Sequence, residues 1–441
     1  MKMLRFSTRL CDVVKSSFAS RSIWTVSTCE HNLCLSHDQD EPQYLKYPFV
    51  WLRDNCQCPK CFHAPSNSRI IHVQQFNFDA VPKKAQISEN HVHIEWTDKH
   101  VSDYPLNWLI ERQLTQVGRK TWQENYGRKK QLSWTAKDFS RILKTFKFNK
   151  ILERKSLWQD LHLKTSEAIW AKDSFYSKSG SVSYFLVTYD FINFNQCILG
   201  TLISTIATIV RHICAALKEG EVAKLADRVA FLKKTQYGEV FRVEAKPDTT
   251  NVAYLNGPLQ LHTDLPYYEY KPGVNLLHCI VKAEEGGENQ LADCLAVAKA
   301  IKSTNPGTYS ILKDTPVIWS DLCTEEGRSY HSVHISPIIK ENEDGIIERI
   351  NFSQPQRDSF MNMPLEKVQC WYNALRIFSQ KLYSPEYSVQ YMLEPGQILT
   401  FDNIRLVHGR LTYEGERLIE GGYLDWDHIY SRLRILQSKY T

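Results

Sequence analysis

The feature that most limits how this chain can fold is His262-Thr263-Asp264, answered far downstream by His408. Two imidazoles and one carboxylate form the facial donor set for ferrous iron, and three protein ligands leave three positions open for chemistry. A lone H-x-D says little, because residues two apart on a strand simply share a face. His93-Ile94-Glu95 has the same spacing without a second histidine in a comparable setting, so it reads as surface. His408 is different: it closes the apolar run Leu399-Thr400-Phe401-Asp402-Asn403-Ile404-Arg405-Leu406-Val407-His408, a strand running into the turn at Gly409. Arg417 follows. A buried arginine near an open metal position suits a dicarboxylate co-substrate, since its planar fork binds a carboxylate bidentately. The pattern points to an iron oxygenase that consumes 2-oxoglutarate.

Five blocks around these residues carry a family likeness: Asn251-Val252-Ala253-Tyr254, Leu261-His262-Thr263-Asp264, Pro272-Gly273-Val274-Asn275-Leu276-Leu277-His278-Cys279, Phe401-Asp402-Asn403 and Tyr423-Leu424-Asp425-Trp426-Asp427. Together they resemble the gamma-butyrobetaine and trimethyllysine dioxygenase family of 2-oxoglutarate-dependent oxygenases, over residues 45–125 and 218–438. The resemblance implies a mainly β fold with flanking helices, in which a double-stranded β-helix (jelly-roll) catalytic domain follows a small N-terminal zinc-binding domain. It also implies ferrous iron, 2-oxoglutarate, oxygen and ascorbate, and a homodimer. By match to the family motifs, His262, Asp264 and His408 hold iron, Arg417 holds the far carboxylate of 2-oxoglutarate, and Leu277 lines the co-substrate site.

Length and composition fit an enzyme of this kind. With 441 residues, 43% hydrophobic and 23% charged, the chain can bury a large core plus a smaller one. The net charge of +5 involves no basic run interleaved with aromatics, so no nucleic-acid partner is expected. The 12 cysteines are spread without a secretory signal, which favours reduced thiols. Residues 40–125 are expected to form the small domain and residues 126–441 the jelly-roll. Residues 1–28 hold Lys2, Arg5, Arg9, Lys15, Arg21 and serines against one acid, Asp12. That composition predicts a mitochondrial transit peptide, the alternative being a disordered tail on a cytoplasmic protein.

Cys56-Gln57-Cys58-Pro59-Lys60-Cys61 crowds three thiols too closely for all to pack in a core. Thiolates are soft ligands, and tetrahedral zinc with three cysteines and one histidine is a closed structural site. The family match gives His100 as the fourth ligand, with His63 as the nearer rival.

A quaternary ammonium cannot donate hydrogen bonds, so proteins surround it with aromatic faces. Tyr237, Phe241, Tyr254 and Tyr423 align with the family's aromatic cage, Phe241 standing where tryptophan is common. Asn251 matches the asparagine that meets the carboxylate of gamma-butyrobetaine, whereas the trimethyllysine enzymes resemble it with aspartate there. Leu265 and Ser353 depart from a common tyrosine and a second asparagine. The expected reaction is therefore hydroxylation of gamma-butyrobetaine to carnitine, with trimethyllysine as the alternative substrate. A reading of another class is a non-catalytic module that holds methylated ammonium groups.

Residues 165–218 do not follow the family pattern, and Phe191 to Val210 carries no charge. That run is long enough to span a membrane, but its asparagines, glutamine, serine and threonines argue against insertion, so no membrane is expected. An inserted segment or translated intron, dispensable to the enzyme, is the expectation. Elsewhere Gly273 to Val281, Gly345 to Phe352 and Gln397 to Phe401 read as strands, and Glu219 to Lys233 reads as a helix packed outside the sheet.

Overall fold

A computed structural model describes residues 24–37, 43–126, 133–149, 209–245, 252–325 and 327–438. The chain forms two units, residues 1–128 and 129–441. In the first, period-two alternation builds two three-stranded antiparallel sheets, one from Trp24–Cys29, Asn32–His37 and Gln43–Pro48, the other from Pro82–Ser88, His91–Trp96 and Val101–Pro105. Leu33, Leu35, Val92, Ile94 and Trp96 point into one core. In the His93-Ile94-Glu95 triplet only Ile94 is buried, while His93 pairs outward with Asp103 at 2.6 Å, as a surface strand should. This unit begins earlier than its composition indicates. Trp24 to Thr28, expected within a leader or tail, pair with Leu33 to His37.

The second unit is a sandwich of two sheets. A six-stranded sheet runs in the order Val240–Val243, Leu418–Leu424, Val274–Val281, Ile398–Asp402, Ile209–Ile213, Lys144–Lys147. A four-stranded sheet runs Leu259–His262, Leu406–Arg410, Asn289–Asp293, Ser388–Tyr391. Leu277, Leu399, Phe401 and Ile419 of the first meet Leu291 and Leu406 of the second in a shared core. The residues between them point the other way, as pleating requires. Val274, Leu276 and Leu424 are covered by the helix Glu221–Val229, and Leu261, Ala292 and Val407 by the helices Cys294–Thr304 and Leu365–Leu382. This is the jelly-roll with flanking helices that the motifs implied.

One expectation fails here. Ile209–Ile213, the end of the segment expected to be dispensable, is an interior strand of the six-stranded sheet, pairing with Ile398 to Phe401 on one side and Lys144 to Lys147 on the other. Ile209 and Val210 are fully buried. The uncharged end of that run is uncharged because both of its faces are covered, the usual reading of an interior strand. The rest of the segment, up to residue 208, lies outside the described residues. No described helix is long and apolar enough to cross a membrane.

Candidate active site and metal centres

The iron-ligand candidates converge at one end of the four-stranded sheet. His262, the last residue of its strand, is the cross-strand partner of His408, and Asp264 follows two residues later. Nε2 of each histidine lies 3.2 Å from Asp264 Oδ1. The three ligand atoms fall within 4.8 Å of one another, close enough to share one ion. His262 Nδ1 sits 2.8 Å from the Gln260 carbonyl, and donating to it leaves Nε2 with its lone pair toward the site. His408 Nε2 is buried, and among the described residues the polar group beside it is the Asp264 carboxylate, its fellow candidate ligand. Burial holds the His408 pKa down, which favours the neutral, ligating imidazole. Burial alone would raise the Asp264 carboxyl, but His408 and His262 hold it well below the usual range. The donor set fits ferrous iron.

Three side chains fix the carboxylate. Asn403 accepts from the Asp264 backbone N–H at 2.8 Å and donates to the Asp264 and Pro272 carbonyls, each at 3.0 Å, so it clamps the loop after the strand. Asn275 and Tyr423 both donate to Asp264 Oδ2, the latter at 3.2 Å, leaving Oδ1 toward the histidines. Asn403 and Asn275 sit inside quoted motifs, yet their identity as acceptors and donors for Asp264 was not legible there. Tyr423 was expected as a cage aromatic. Its ring does lie 5.0 Å from that of Phe241, but its hydroxyl serves the metal ligand.

One cavity holds the rest of the expected site. His262, Asp264 and His408 line it together with Arg417, Leu277, Tyr237, Phe241, Tyr254 and Tyr423. Arg417 is half-buried beside the Tyr413 ring at 5.6 Å, and desolvation, with Arg410 nearby, pulls its pKa down to about 10. Among the described residues no carboxylate pairs with it. A half-buried guanidinium without a carboxylate fits an anionic ligand. Phe241 finds its place because Gly421 underneath has no side chain: a Cβ there would lie 2.2 Å from the ring. Leu265 and Gln356 also line the cavity, and Ser353 donates to the Gln356 side-chain oxygen. Asn251 lies outside the described residues. Arg410, which no motif singled out, donates to the carbonyls of Ala253, Leu255 and Gly257 and so pins the loop that carries Tyr254.

Residues 27–110 match the family described as gamma-butyrobetaine hydroxylase-like, N-terminal, and residues 207–423 match the taurine catabolism dioxygenase TauD, TfdA family. Gamma-butyrobetaine dioxygenase from Homo sapiens is 33% identical over 91% of this chain and 93% of that protein. The Pongo abelii enzyme of the same name agrees equally well, at 33% over 91% and 93%. The chain belongs to the gamma-butyrobetaine dioxygenase family. It is a 2-oxoglutarate-dependent dioxygenase, of a family whose members use ferrous iron. Mitochondrial trimethyllysine dioxygenase from Mus musculus is more distant, 24% identical over 96% of this chain and 92% of that protein.

In the small unit, Cys56, Cys58, Cys61 and His100 place their ligand atoms within 4.8 Å of one another. His100 Nε2 lies 3.2, 3.6 and 3.5 Å from the three sulfurs in turn. The turn before His100 is tightened by Lys99 in the left-handed region, at φ 62°. His63, the rival, is exposed and turns to Ser66 at 2.6 Å. Three cysteines and one histidine at these separations fit tetrahedral zinc.

Proposed function

We propose that this chain hydroxylates gamma-butyrobetaine at the carbon β to its carboxylate, giving carnitine. The observation that carries the reading is the single cavity in which the His262, Asp264 and His408 ligand set, the uncompensated Arg417 and the aromatic rings of Tyr237, Phe241, Tyr254 and Tyr423 all meet. Bound iron with 2-oxoglutarate and oxygen supplies the oxidising equivalent that replaces a C–H hydrogen by hydroxyl. His262, Asp264 and His408 hold the metal and leave half its positions open. Arg417 pairs with the far carboxylate of 2-oxoglutarate, and Leu277 packs beside it. The rings surround the trimethylammonium group, and Asn251 meets the substrate carboxylate. With its two ends held, one C–H bond stays against the metal, and positioning of this kind is the protein's main contribution to rate.

Zinc bound by Cys56, Cys58, Cys61 and His100 is structural, because four protein ligands leave no open position. Ascorbate keeps the iron ferrous, and the working unit is a homodimer. The basic, serine-containing residues 1–23 support a mitochondrial location, with cytoplasm as the alternative. Trimethyllysine is the second substrate reading, favoured by that leader composition, while Leu265 and Ser353 depart from the tyrosine and asparagine common in the family.

The test is a screen of small quaternary amines with iron, 2-oxoglutarate and oxygen, read as succinate formation. Gamma-butyrobetaine should release succinate faster than trimethyllysine. The reverse order would move the substrate assignment to trimethyllysine, and no release with either would remove it.

A further inference from the structure

The small unit buries a cation beside its metal ligands. Arg53 lies in the last turn of the short helix Phe49–Asp54, just before Cys56, and it is only 8% exposed. A guanidinium is costly to bury unless charged or polar groups meet it. Here two groups do. Its Nη1 donates to Cys61 Sγ at 3.5 Å, and its Nε lies 3.4 Å from Asp98 Oδ2. Asp98 in turn accepts the backbone N–H of His100 through Oδ1, at 3.0 Å. One side chain thereby spans the two stretches of chain, remote in sequence, that supply Cys56, Cys58 and Cys61 on one side and His100 on the other.

The chemistry of the donor set gives the cation a purpose. Metal binding requires the thiols as thiolates, and three thiolates with a neutral imidazole around a divalent ion carry one net negative charge. A hydrogen bond from an ionised donor to a charged acceptor is stronger than one between neutral groups. The guanidinium lies between that charge and the Asp98 carboxylate. Its planar fork also holds Nε and Nη1 at a fixed spacing, so a single rigid group sets the distance from Cys61 to Asp98. Asp98 passes the constraint to the turn that presents His100, where Lys99 takes the left-handed conformation at φ 62°.

We propose that Arg53 is a positioning residue for the zinc site: together with Asp98 it latches the Cys61 thiolate to the His100 turn and so raises the affinity for the metal. Arg53 acts through the sulfur it bonds and the carboxylate it holds, as groups that orient metal ligands do. This inference rests on the zinc reading above.

The experiment uses the full-length protein. It measures zinc affinity by competition with a chromophoric chelator, and the thiolate-to-metal charge-transfer absorption after zinc is exchanged for cobalt(II). Arg53→Gln should weaken zinc binding roughly 10- to 100-fold and shift the cobalt absorption, with the circular dichroism of the loaded protein retained. Arg53→Lys keeps the charge without the fork and should recover only part of the affinity. Asp98→Asn, at the exposed end of the link, should weaken zinc less than Arg53→Gln, and the double variant should lose less than the product of the two single losses, because both act through one connection. Unchanged affinity and spectrum in folded Arg53→Gln would overturn the proposal, as would losses in the double variant that simply multiply. Should Arg53→Gln not fold, Asp98→Asn alone decides, and unchanged zinc affinity there would overturn the latch. Wild-type protein that binds no zinc would instead remove the zinc reading, and this inference with it.

Discussion

His262 and His408 stand opposite each other on neighbouring antiparallel strands, their ring centroids 4.4 Å apart. Strand register therefore fixes the separation of two metal ligands that are remote in sequence, and a one-residue slip would turn one of them to the other face. The third ligand depends on side chains instead, since Asp264 lies beyond the strand and is held by Asn403, Asn275 and Tyr423.

Arg417→Ala should raise the Michaelis constant for 2-oxoglutarate. Losing a charge-assisted pair removes about 1.5–3 kcal/mol, which is roughly 10- to 150-fold in affinity. Steady-state kinetics at varied 2-oxoglutarate checks it, and an unchanged constant would exclude this arginine from the co-substrate site.

Tyr423→Phe keeps the ring near Phe241 and removes the hydroxyl from Asp264 Oδ2. Groups that orient a metal ligand typically affect metal affinity roughly 10- to 100-fold when lost. Anaerobic ferrous-ion titration should show weaker binding, with the dissociation constant for gamma-butyrobetaine little changed. Unchanged ferrous-ion affinity would leave Tyr423 with a cage role alone.

Asp293→Ala should destabilise the large unit. The Asp293 carboxylate is fully buried, receives Arg405 through two nitrogens and accepts the backbone N–H groups of Leu295 and Trp134. Removing one partner of such a pair costs about 3–5 kcal/mol, because the remaining charge is left buried. Denaturant unfolding should show that loss, and a change below about 1 kcal/mol would mean that water reaches the pair and compensates it.

Purified protein should carry one zinc per chain, and Cys61→Ser should lose it together with the cooperative unfolding of residues 24–126. Structural zinc couples binding to folding, so chelation should lower the thermal transition of the small unit. Elemental analysis that finds no zinc in active protein would contradict this.

The chemistry was legible where residue type and spacing carry it. His262, Asp264 and His408, and the three closely spaced cysteines with His100, announce donor sets that few other roles require. What supports those sets was hidden for a physical reason. Asn275, Asn403 and Arg410 act on partners supplied by loops remote in sequence, and nothing in their local sequence marks the pairing. The interior strand Ile209–Ile213 was misread because burial on both faces removes the alternation that marks a half-exposed strand. Trp24 to Thr28 were assigned to a leader because such a signal is compositional and has no sharp end, whereas their alternation suits an edge of the small unit's sheet.

The central claim is that His262, Asp264 and His408 form the iron site of a gamma-butyrobetaine hydroxylase. The most direct measurement is succinate released with gamma-butyrobetaine, 2-oxoglutarate, oxygen and ferrous iron, alongside the carnitine formed, in wild-type protein and in His262→Ala, Asp264→Ala and His408→Ala. The account predicts matched succinate and carnitine from the wild type, and loss of both in all three variants, with the circular dichroism of the fold retained. Carnitine formation persisting in the three folded variants would contradict it.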